Sequence, residues 1–235
     1  MVSEPFAYRH FHSKERLETE LAALLLEVLS TATAREPKAV MLSGGSTPRE
    51  LYRRIASCGE RAGDGAYLTV SDERIVPRGS EDANLTMIEA MARGVGVPSQ
   101  RLVAVEHTLG ATPAAKRYHH ALEELRRNGV SREVALLGIG GDGHTASIFD
   151  LATAREEGEL LARPAGEHAG FERVTATARE ILSHRRLIFF VAGAGKQEIL
   201  DALTREPETY PAGIIALRHG AAEVWTDLRR PGGAG

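Results

Sequence analysis

Two unbroken apolar runs most strongly limit the folds open to this chain. They are "EVALLGIG" at residues 133–140 and "RRLIFFVAG" at residues 185–193. A strand with one wet face alternates apolar and polar residues, whereas a strand covered on both faces is apolar throughout. Both runs therefore predict buried strands of a parallel sheet with helices packed on each side.

Helix and strand signals alternate along the first third of the chain. Ser13 is a capping residue for a helix whose leucines recur on one face up to Val28, and residues 38–43 predict a buried strand. A second helix is expected to begin with Pro48, and residues 66–74 predict a strand that runs into charge. Strands joined by helices give a mostly parallel sheet.

The same alternation continues towards the C-terminus. Helices are predicted at residues 82–94, 112–129 and 195–206, and strands at 101–107, 173–178 and 222–228. The last segment, "RRPGGAG", has nothing to pack against. We therefore expect one α/β domain over residues 1–228, built on a single open, mostly parallel, Rossmann-like sheet with helices on both faces, and a flexible tail at 229–235.

Composition restricts the partners of such a domain. A chain of 235 residues with 43% hydrophobic residues can bury one substantial core. Its net charge of -3 provides no basic field for nucleic acid, and no stretch of about eighteen apolar residues predicts a membrane span. Cys58 is the single cysteine, and the N-terminus lacks a signal-peptide pattern. These features predict a soluble, cytoplasmic protein, monomeric or a small homo-oligomer, that acts on small molecules.

Chemically rich segments follow four of the predicted strands. In open α/β sheets, ligands bind beyond the carboxyl ends of the strands, where loops enter helices. The four segments are "SGGSTP" at 43–48, "SDER" at 71–74, "GGDGHTAS" at 140–147 and "GAGK" at 193–196. The sequence thus predicts that they converge on one pocket.

The 43–48 turn has the features of an anion site, although an ordinary capped turn would look similar. Glycines allow a ligand to approach the backbone, and the following helix start favours negative charge. Arg74 and Lys196 at neighbouring strand ends strengthen a phosphate interpretation. Lys196 does not belong to a Walker A loop, because Phe190 stands where the first glycine of that motif is required. The phosphate candidates within the turn are Gly44, Gly45, Ser46 and Thr47.

The 71–74 segment places two carboxylates and a guanidinium at a strand end. Arg74 offers two parallel donors to a phosphate or carboxylate. Asp72 is a candidate either for holding a sugar hydroxyl or for steering a neighbouring side chain. The alternative is a solvated run of charges.

The loop "LLGIGGDGHTASIF", residues 136–149, admits three interpretations. Its glycines fit a dinucleotide fingerprint, but that motif belongs in a first βα unit and leads directly into a helix. A metal site at His144 requires several convergent ligands, and no paired cluster stands near it in sequence. A general base is the simplest interpretation, because imidazole titrates near neutral pH, and Asp142 is close enough to orient the ring.

Five segments in this order resemble the 6-phosphogluconolactonase family. They are "LSGGSTPRELY", "SDERIVPRGSEDAN", "LLGIGGDGHTASIF", "RVTAT" and "VAGAGKQEIL". The resemblance implies the fold of the glucosamine-6-phosphate deaminase group. It also implies hydrolysis of 6-phosphoglucono-1,5-lactone to 6-phosphogluconate in the oxidative pentose phosphate pathway, with no cofactor and no metal.

The resemblance also implies roles for individual residues. His144 would activate the attacking water, and Asp142 would orient His144. Backbone N–H groups of residues 138–143 or 43–47 are the candidates for holding the oxyanion. The residues implied in substrate or phosphate binding are Gly44, Gly45, Ser46, Thr47, Asp72, Arg74, Asn84, Arg173 and Lys196.

Two alternative functions and several departures accompany the resemblance. The related deaminases carry a catalytic glutamate where this chain has Phe149, and Asp150 is one residue out of register. The fold also occurs in sugar-phosphate-sensing domains of transcription regulators, which usually carry a helix-turn-helix that the residues before the first helix are too few to form. The departures from the lactonase pattern are Ala83 for a serine, Ile148-Phe149-Asp150-Leu151 for Leu-Phe-Pro-Gly, and Pro-Ala-Gly at 211–213 for Pro-Ala-Ser.

Overall fold

A seven-stranded parallel sheet forms the centre of the molecule. The computed structural model describes residues 6–229. The strands of the central sheet lie in the order β1-β10-β9-β6-β2-β3-β5, and every neighbouring pair is parallel. The strands are β1 (Ala7–His10), β2 (Lys38–Leu42), β3 (Ala66–Val70), β4 (Asp72–Arg74), β5 (Leu102–Val103), β6 (Ser131–Leu137), β7 (Ala162–His168), β8 (Phe171–Ala176), β9 (Arg186–Val191) and β10 (Glu223–Thr226).

Helices cover both faces of this sheet. Side chains alternate along each central strand, so that Leu136 of β6 joins one apolar cluster and its neighbour Leu137 joins the other. This two-sided burial explains why β6 and β9, which are adjacent, read as unbroken apolar runs. The helices are α1 (Lys14–Ser30), α2 (Arg49–Ser57), α3 (Asn84–Val95), α4 (Ala111–Arg127), α5 (Leu151–Arg155), α6 (Ala178–Leu182), α7 (Gln197–Arg205) and α8 (Pro211–His219).

A small antiparallel sheet, in the order β4-β8-β7, stands apart from the central one. The single strand predicted over residues 66–74 is wrong in one respect, because the chain leaves the central sheet at Ser71. The Ser71 N–H donates to Leu42 O of the central sheet, whereas its carbonyl accepts from Ala176 N at the end of β8. The charged segment Asp72–Arg74 therefore belongs to the second sheet and pairs with β8.

A tight hairpin joins β7 to β8. Its two turn residues, Ala169 and Gly170, have φ angles of 52° and 80°. Two consecutive positive φ angles are typical of the type I′ turns that connect antiparallel strands. The hairpin places His168 and Phe171 opposite each other at its tip.

The predicted open, mostly parallel α/β fold is confirmed, and individual elements differ in detail. Pro48 occupies the N-cap of α2 and the helix itself begins at Arg49. Strand β7 and helices α5, α6 and α8 had no counterpart in the sequence prediction. The tail beyond Arg229 lies outside the described residues, so its flexibility and the single-domain boundary at residue 228 stay predictions. In the described part of the chain, no helix combines the length and the apolar character that a membrane crossing requires.

Candidate active site

One cavity of about 360 Å³ lies at the carboxyl ends of β2, β6 and β9, beside the start of the small sheet. All four polar segments singled out in the sequence contribute to its wall. Asp142 is outside the wall and reaches it through His144. The predicted residues that line the cavity are Gly44, Gly45, Ser46, Thr47, Asp72, Arg74, Asn84, His144, Arg173 and Lys196.

His144 is held by a short hydrogen bond to Asp142. The distance from His144 Nδ1 to Asp142 Oδ1 is 2.5 Å. Partial burial acts to raise the pKa of Asp142, but the bond to His144 and the imidazole charge outweigh it and leave that pKa below its ordinary value. An ionised carboxylate can only accept, so Nδ1 carries a proton, and in the neutral imidazole the lone pair lies on Nε2.

Glycines allow the loop to fold back on itself around this pair. The Gly140 N–H donates to His144 O at 2.8 Å, and the Gly143 N–H donates to Gly140 O at 3.0 Å. A Cβ at position 140 would lie 2.2 Å from His144 Nδ1, so only glycine fits there. The glycine pattern that resembled a nucleotide fingerprint therefore shapes a turn that presents His144.

Arg74 and Arg173 stand directly opposite each other across β4 and β8. Like charges in a cross-strand pair repel each other. Arg74 Nη1 is 3.3 Å from Asp82 Oδ1, whereas the buried Arg74 Nε has no hydrogen-bond partner within residues 6–229. Burial lowers the pKa of Arg173, and Asp72 Oδ2 lies 3.8 Å from its Nη1. Two guanidinium groups that line one cavity favour an anion there.

Lys196 also lines the cavity. Its Nζ donates to Ile139 O at 2.8 Å, which ties the end of β9 to the loop after β6. An ammonium group has three donors, so this bond leaves two for a ligand.

The 43–48 turn is shaped by one close approach and one left-handed residue. Gly45 has a φ of 98°, a conformation that glycine adopts at no steric cost. A Cβ on Gly44 would lie 1.8 Å from Asn84 Oδ1, so the Asn84 side chain occupies the place that any larger residue would need. Ser46 and Thr47 line the cavity beside them.

Asp72 ties three parts of the site together. Its Oδ2 accepts from Ser147 Oγ at 2.6 Å and its Oδ1 accepts from Ser71 Oγ at 2.8 Å, while its backbone oxygen accepts from Asn84 Nδ2 at 2.9 Å. Burial raises the pKa of Asp72, and the bonds from Ser147 and Ser71 oppose that effect. Of its two predicted roles, the geometry favours the steering of neighbouring side chains.

Glu73 is a functional residue that sequence reasoning missed. Its side chain is 0% exposed. Oε1 accepts from the N–H groups of Arg74 and Asn84, both at 2.8 Å, and Oε2 accepts from Leu85 N at 2.7 Å. The N-cap residue of α3, Ala83, has no side-chain oxygen, so Glu73 caps this helix from another strand. The departure at Ala83 from the serine of the family pattern was the only signal in the sequence.

His107 lies behind Glu73. Its Nδ1 donates to Val76 O at 2.8 Å, and its Nε2 is 3.5 Å from Glu73 Oε2. The interaction with Glu73 is the largest cause that raises the pKa of His107. When His107 is protonated, it places a positive charge beside the buried Glu73.

Asp150, the residue nearest to the register of the deaminase glutamate, is engaged elsewhere. Its carboxylate caps α5 by accepting from Thr153 N at 2.8 Å and Thr153 Oγ1 at 2.9 Å. Phe149 occupies the aligned position with a ring that has no acid or base function. Among residues 6–229, no three histidine, cysteine, aspartate or glutamate side chains are grouped closely enough to hold a metal ion.

Comparison with known proteins extends over most of the chain. A 6-phosphogluconolactonase of Nostoc sp. is 34% identical, over 82% of this chain and 83% of its own length. A 6-phosphogluconolactonase of Rhizobium meliloti is 30% identical, over 88% of this chain and 90% of its own.

Solved structures agree with this result. The crystal structure of 6-phosphogluconolactonase from Thermotoga maritima superposes with a TM-score of 0.76 at 25% identity, covering 94% of this chain and 97% of that one. A monomeric glucosamine-6-phosphate deaminase superposes with a TM-score of 0.75 at 16% identity, again over 94% and 97%, and shares the fold. Residues 12–225 match the family described as glucosamine-6-phosphate isomerases/6-phosphogluconolactonase. The chain belongs to this enzyme family, and the curated relatives compared with it are 6-phosphogluconolactonases.

Proposed function

We propose that this enzyme hydrolyses 6-phosphoglucono-1,5-lactone to 6-phosphogluconate, with His144 as the general base. The observation that carries the proposal is the His144–Asp142 pair at a cavity that Arg74, Arg173 and Lys196 also line. A lactone carbonyl needs a base, and a phosphate needs cations. The cavity offers both at once.

The tautomer of His144 suits the first step. Asp142 holds the proton on Nδ1, so Nε2 accepts a proton from water while the water oxygen forms a bond to the lactone carbonyl carbon. The carbonyl electrons move to oxygen and produce a tetrahedral oxyanion. The ring C–O bond then breaks as the carbonyl re-forms, and the imidazolium returns its proton to the departing ring oxygen. General base catalysis of this type contributes roughly 10²- to 10⁴-fold.

Backbone N–H groups are the candidates to stabilise the oxyanion. Those of Gly140 and Gly143 already donate within the loop. The N–H groups of Gly141 and of the 44–47 turn, which line the same cavity, are therefore the better candidates.

The cations act at the other end of the substrate. Arg74 and Arg173 face each other across two strands, and Lys196 adds a third positive charge. Phosphate binding there fixes the sugar so that its carbonyl reaches His144, and binding energy from the remote group lowers the barrier at the reacting carbon. The scheme needs no cofactor, and the product places the reaction in the oxidative pentose phosphate pathway.

A lactonase assay tests the proposal directly. The lactone is generated in situ and its opening is followed by acid release or by a dehydrogenase that consumes the product. We expect clear acceleration over spontaneous opening, and no ammonia when glucosamine 6-phosphate is supplied instead. Tight binding of the sugar phosphate without turnover would mean a sensor, and ammonia release would mean a deaminase.

The base is tested with His144→Ala. We expect kcat to fall by roughly 10²- to 10⁴-fold, because water is no longer deprotonated. His120→Ala is the matched control, since His120 is exposed on α4 and does not line the cavity. Near-normal turnover of His144→Ala would show that another group is the base.

A further inference from the structure

The imidazole of His144 belongs to an aromatic cluster that extends away from Asp142. The centroid of its ring is 4.9 Å from that of Phe149, with the planes inclined at 57°. Phe149 stacks on His168 with centroids 3.9 Å apart and planes 15° from parallel. His168 is itself 5.9 Å from His144. We name these three residues, His144, Phe149 and His168, the ring cluster.

His168 comes from a different part of the chain and is anchored there. It is the last residue of β7, next to the two-residue turn of the hairpin. Its carbonyl oxygen accepts from Arg173 Nε at 3.4 Å. The same strand pair therefore carries both the cavity cation Arg173 and the ring that stacks on Phe149.

The bond to Asp142 alone leaves His144 under-restrained. A single hydrogen bond fixes the position of Nδ1, but the ring can still tilt about that contact. Gly140 closes the space next to Nδ1, where a Cβ would lie only 2.2 Å away. Phe149 and His168 supply the other ring contacts, and Phe149 is stacked on His168 with the Arg173 guanidinium 5.7 Å from its ring centroid.

We propose that His168 is a positioning residue for His144. By stacking on Phe149 it keeps that ring against the imidazole, so that Nε2 of His144 stays directed into the cavity. His168 acts through its flat ring and not through its proton. The inference rests on the proposed function for its effect on turnover, but the geometry of the ring cluster is independent of the reaction.

Kinetics of two variants show whether His168 acts through its ring or through a titrating proton. For His168→Ala we expect a roughly tenfold lower kcat with KM changed by less than about twofold, because one aromatic stack is lost while the bond from Arg173 Nε to the backbone oxygen of residue 168 is kept. For His168→Phe we expect kcat within about twofold of the wild-type value and an unchanged pH profile. Normal turnover of His168→Ala, or a defect in His168→Phe equal to that of His168→Ala, would overturn the proposal.

A second measurement needs no turnover. Long-range ¹H–¹⁵N spectra of the ligand-free protein report the tautomer and the order of each imidazole. We expect one sharp Nδ1–H signal set for His144 in the wild type, His168→Phe and His120→Ala, and broadened or mixed signals in His168→Ala. Identical His144 signals in all four proteins would overturn the positioning role even if the lactone is hydrolysed. If the His144 signals broaden in His168→Ala but the protein has no lactonase activity, the positioning role is supported and the proposed function is wrong.

Discussion

The two ends of the cavity depend on carboxylates in opposite environments. The side chain of Asp142 is 57% exposed and serves one partner, His144, on a loop. That of Glu73 is 0% exposed and accepts from three backbone N–H groups in two segments. The exposed Asp142 orients the His144 ring without supporting the fold. The buried Glu73 fixes the backbone whose side chains line the cavity. Asp142 thus acts on the proposed base, whereas Glu73 holds the backbone that carries Arg74 and Asn84.

The cost of burial explains why the two cannot exchange roles. An ionised carboxylate removed from water loses several kcal/mol of solvation unless hydrogen bonds replace it. Glu73 obtains these bonds from Arg74, Asn84 and Leu85, and a charge partner in His107. Asp142 keeps part of its hydration, so its contribution to stability is small while its effect on His144 is direct.

Of the substitutions that test this contrast, Asp142→Asn has the largest expected effect. The amide can donate to Nδ1 and so favours the tautomer with its proton on Nε2, which cannot accept from water. We expect kcat to fall by roughly 10- to 100-fold, with the free energy of unfolding changed by about 0.5 kcal/mol or less. Steady-state kinetics and urea unfolding measure the two quantities. A large loss of stability would show that the exposed carboxylate also supports the fold.

Glu73→Gln is the matched substitution at the other end. The amide offers one acceptor oxygen where the carboxylate has two, so buried N–H groups lose partners. We expect the protein to lose roughly 2–3 kcal/mol of unfolding free energy and KM to rise more than kcat falls.

The additional change Ala83→Ser tests the capping part of that loss. A serine at the N-cap of α3 is expected to recover about 1 kcal/mol in the Glu73→Gln background. If Glu73→Gln keeps its stability, or lowers only kcat, then Glu73 does not support the fold as proposed and does not differ from Asp142 in this respect.

Arg74→Ala tests the anion site while keeping the backbone N–H of residue 74 that donates to Glu73. Loss of one charged donor pair should raise KM by about tenfold or more while kcat is largely retained. Arg78→Ala is the control, because Arg78 is a neighbouring arginine that pairs with Glu89 and lies outside this cavity. An unchanged KM with a lower kcat would contradict a phosphate role.

The smallest effect is a pH dependence carried by His107. A raised pKa means that its stabilising contribution is complete below the ordinary value of 6.5 and is lost as the pH rises through the folded-state value. The unfolding free energies of wild type and His107→Gln should therefore differ by about 1 kcal/mol near pH 6, and by less near pH 9. A difference that grows with pH would mean that His107 is neutral beside Glu73.

The strands next to the site were predictable because burial on both faces requires apolar residues at every position. The runs that form β6 and β9 are apolar since helices cover both sides, and the polar segments that follow them line the cavity. Strand β7 was not predictable in the same way. Its sequence, "ARPAGEH", contains proline, glycine and charge, and it forms a strand because β8 offers it a partner.

Site residues divide along the same line. His144 and Arg74 stand in short motifs whose chemistry can be recognised from the sequence alone. Glu73 stands in the same motif as Arg74. Its carboxylate accepts from the N–H groups of Asn84 and Leu85, and no local sequence pattern predicts that contact. Phe149 and His168 are 19 positions apart and meet only through the hairpin.

The sequence by itself determined the α/β class, the covered central strands and the four strand ends at which polar groups collect, because hydrophobic periodicity and loop chemistry are local properties. Tertiary structure alone decided that the charged segment leaves the central sheet, that Glu73 caps α3 in place of Ala83, and that His168 stacks beside the proposed base. These contacts join segments far apart in the chain, and their free energy exists only once the strands that carry them are paired.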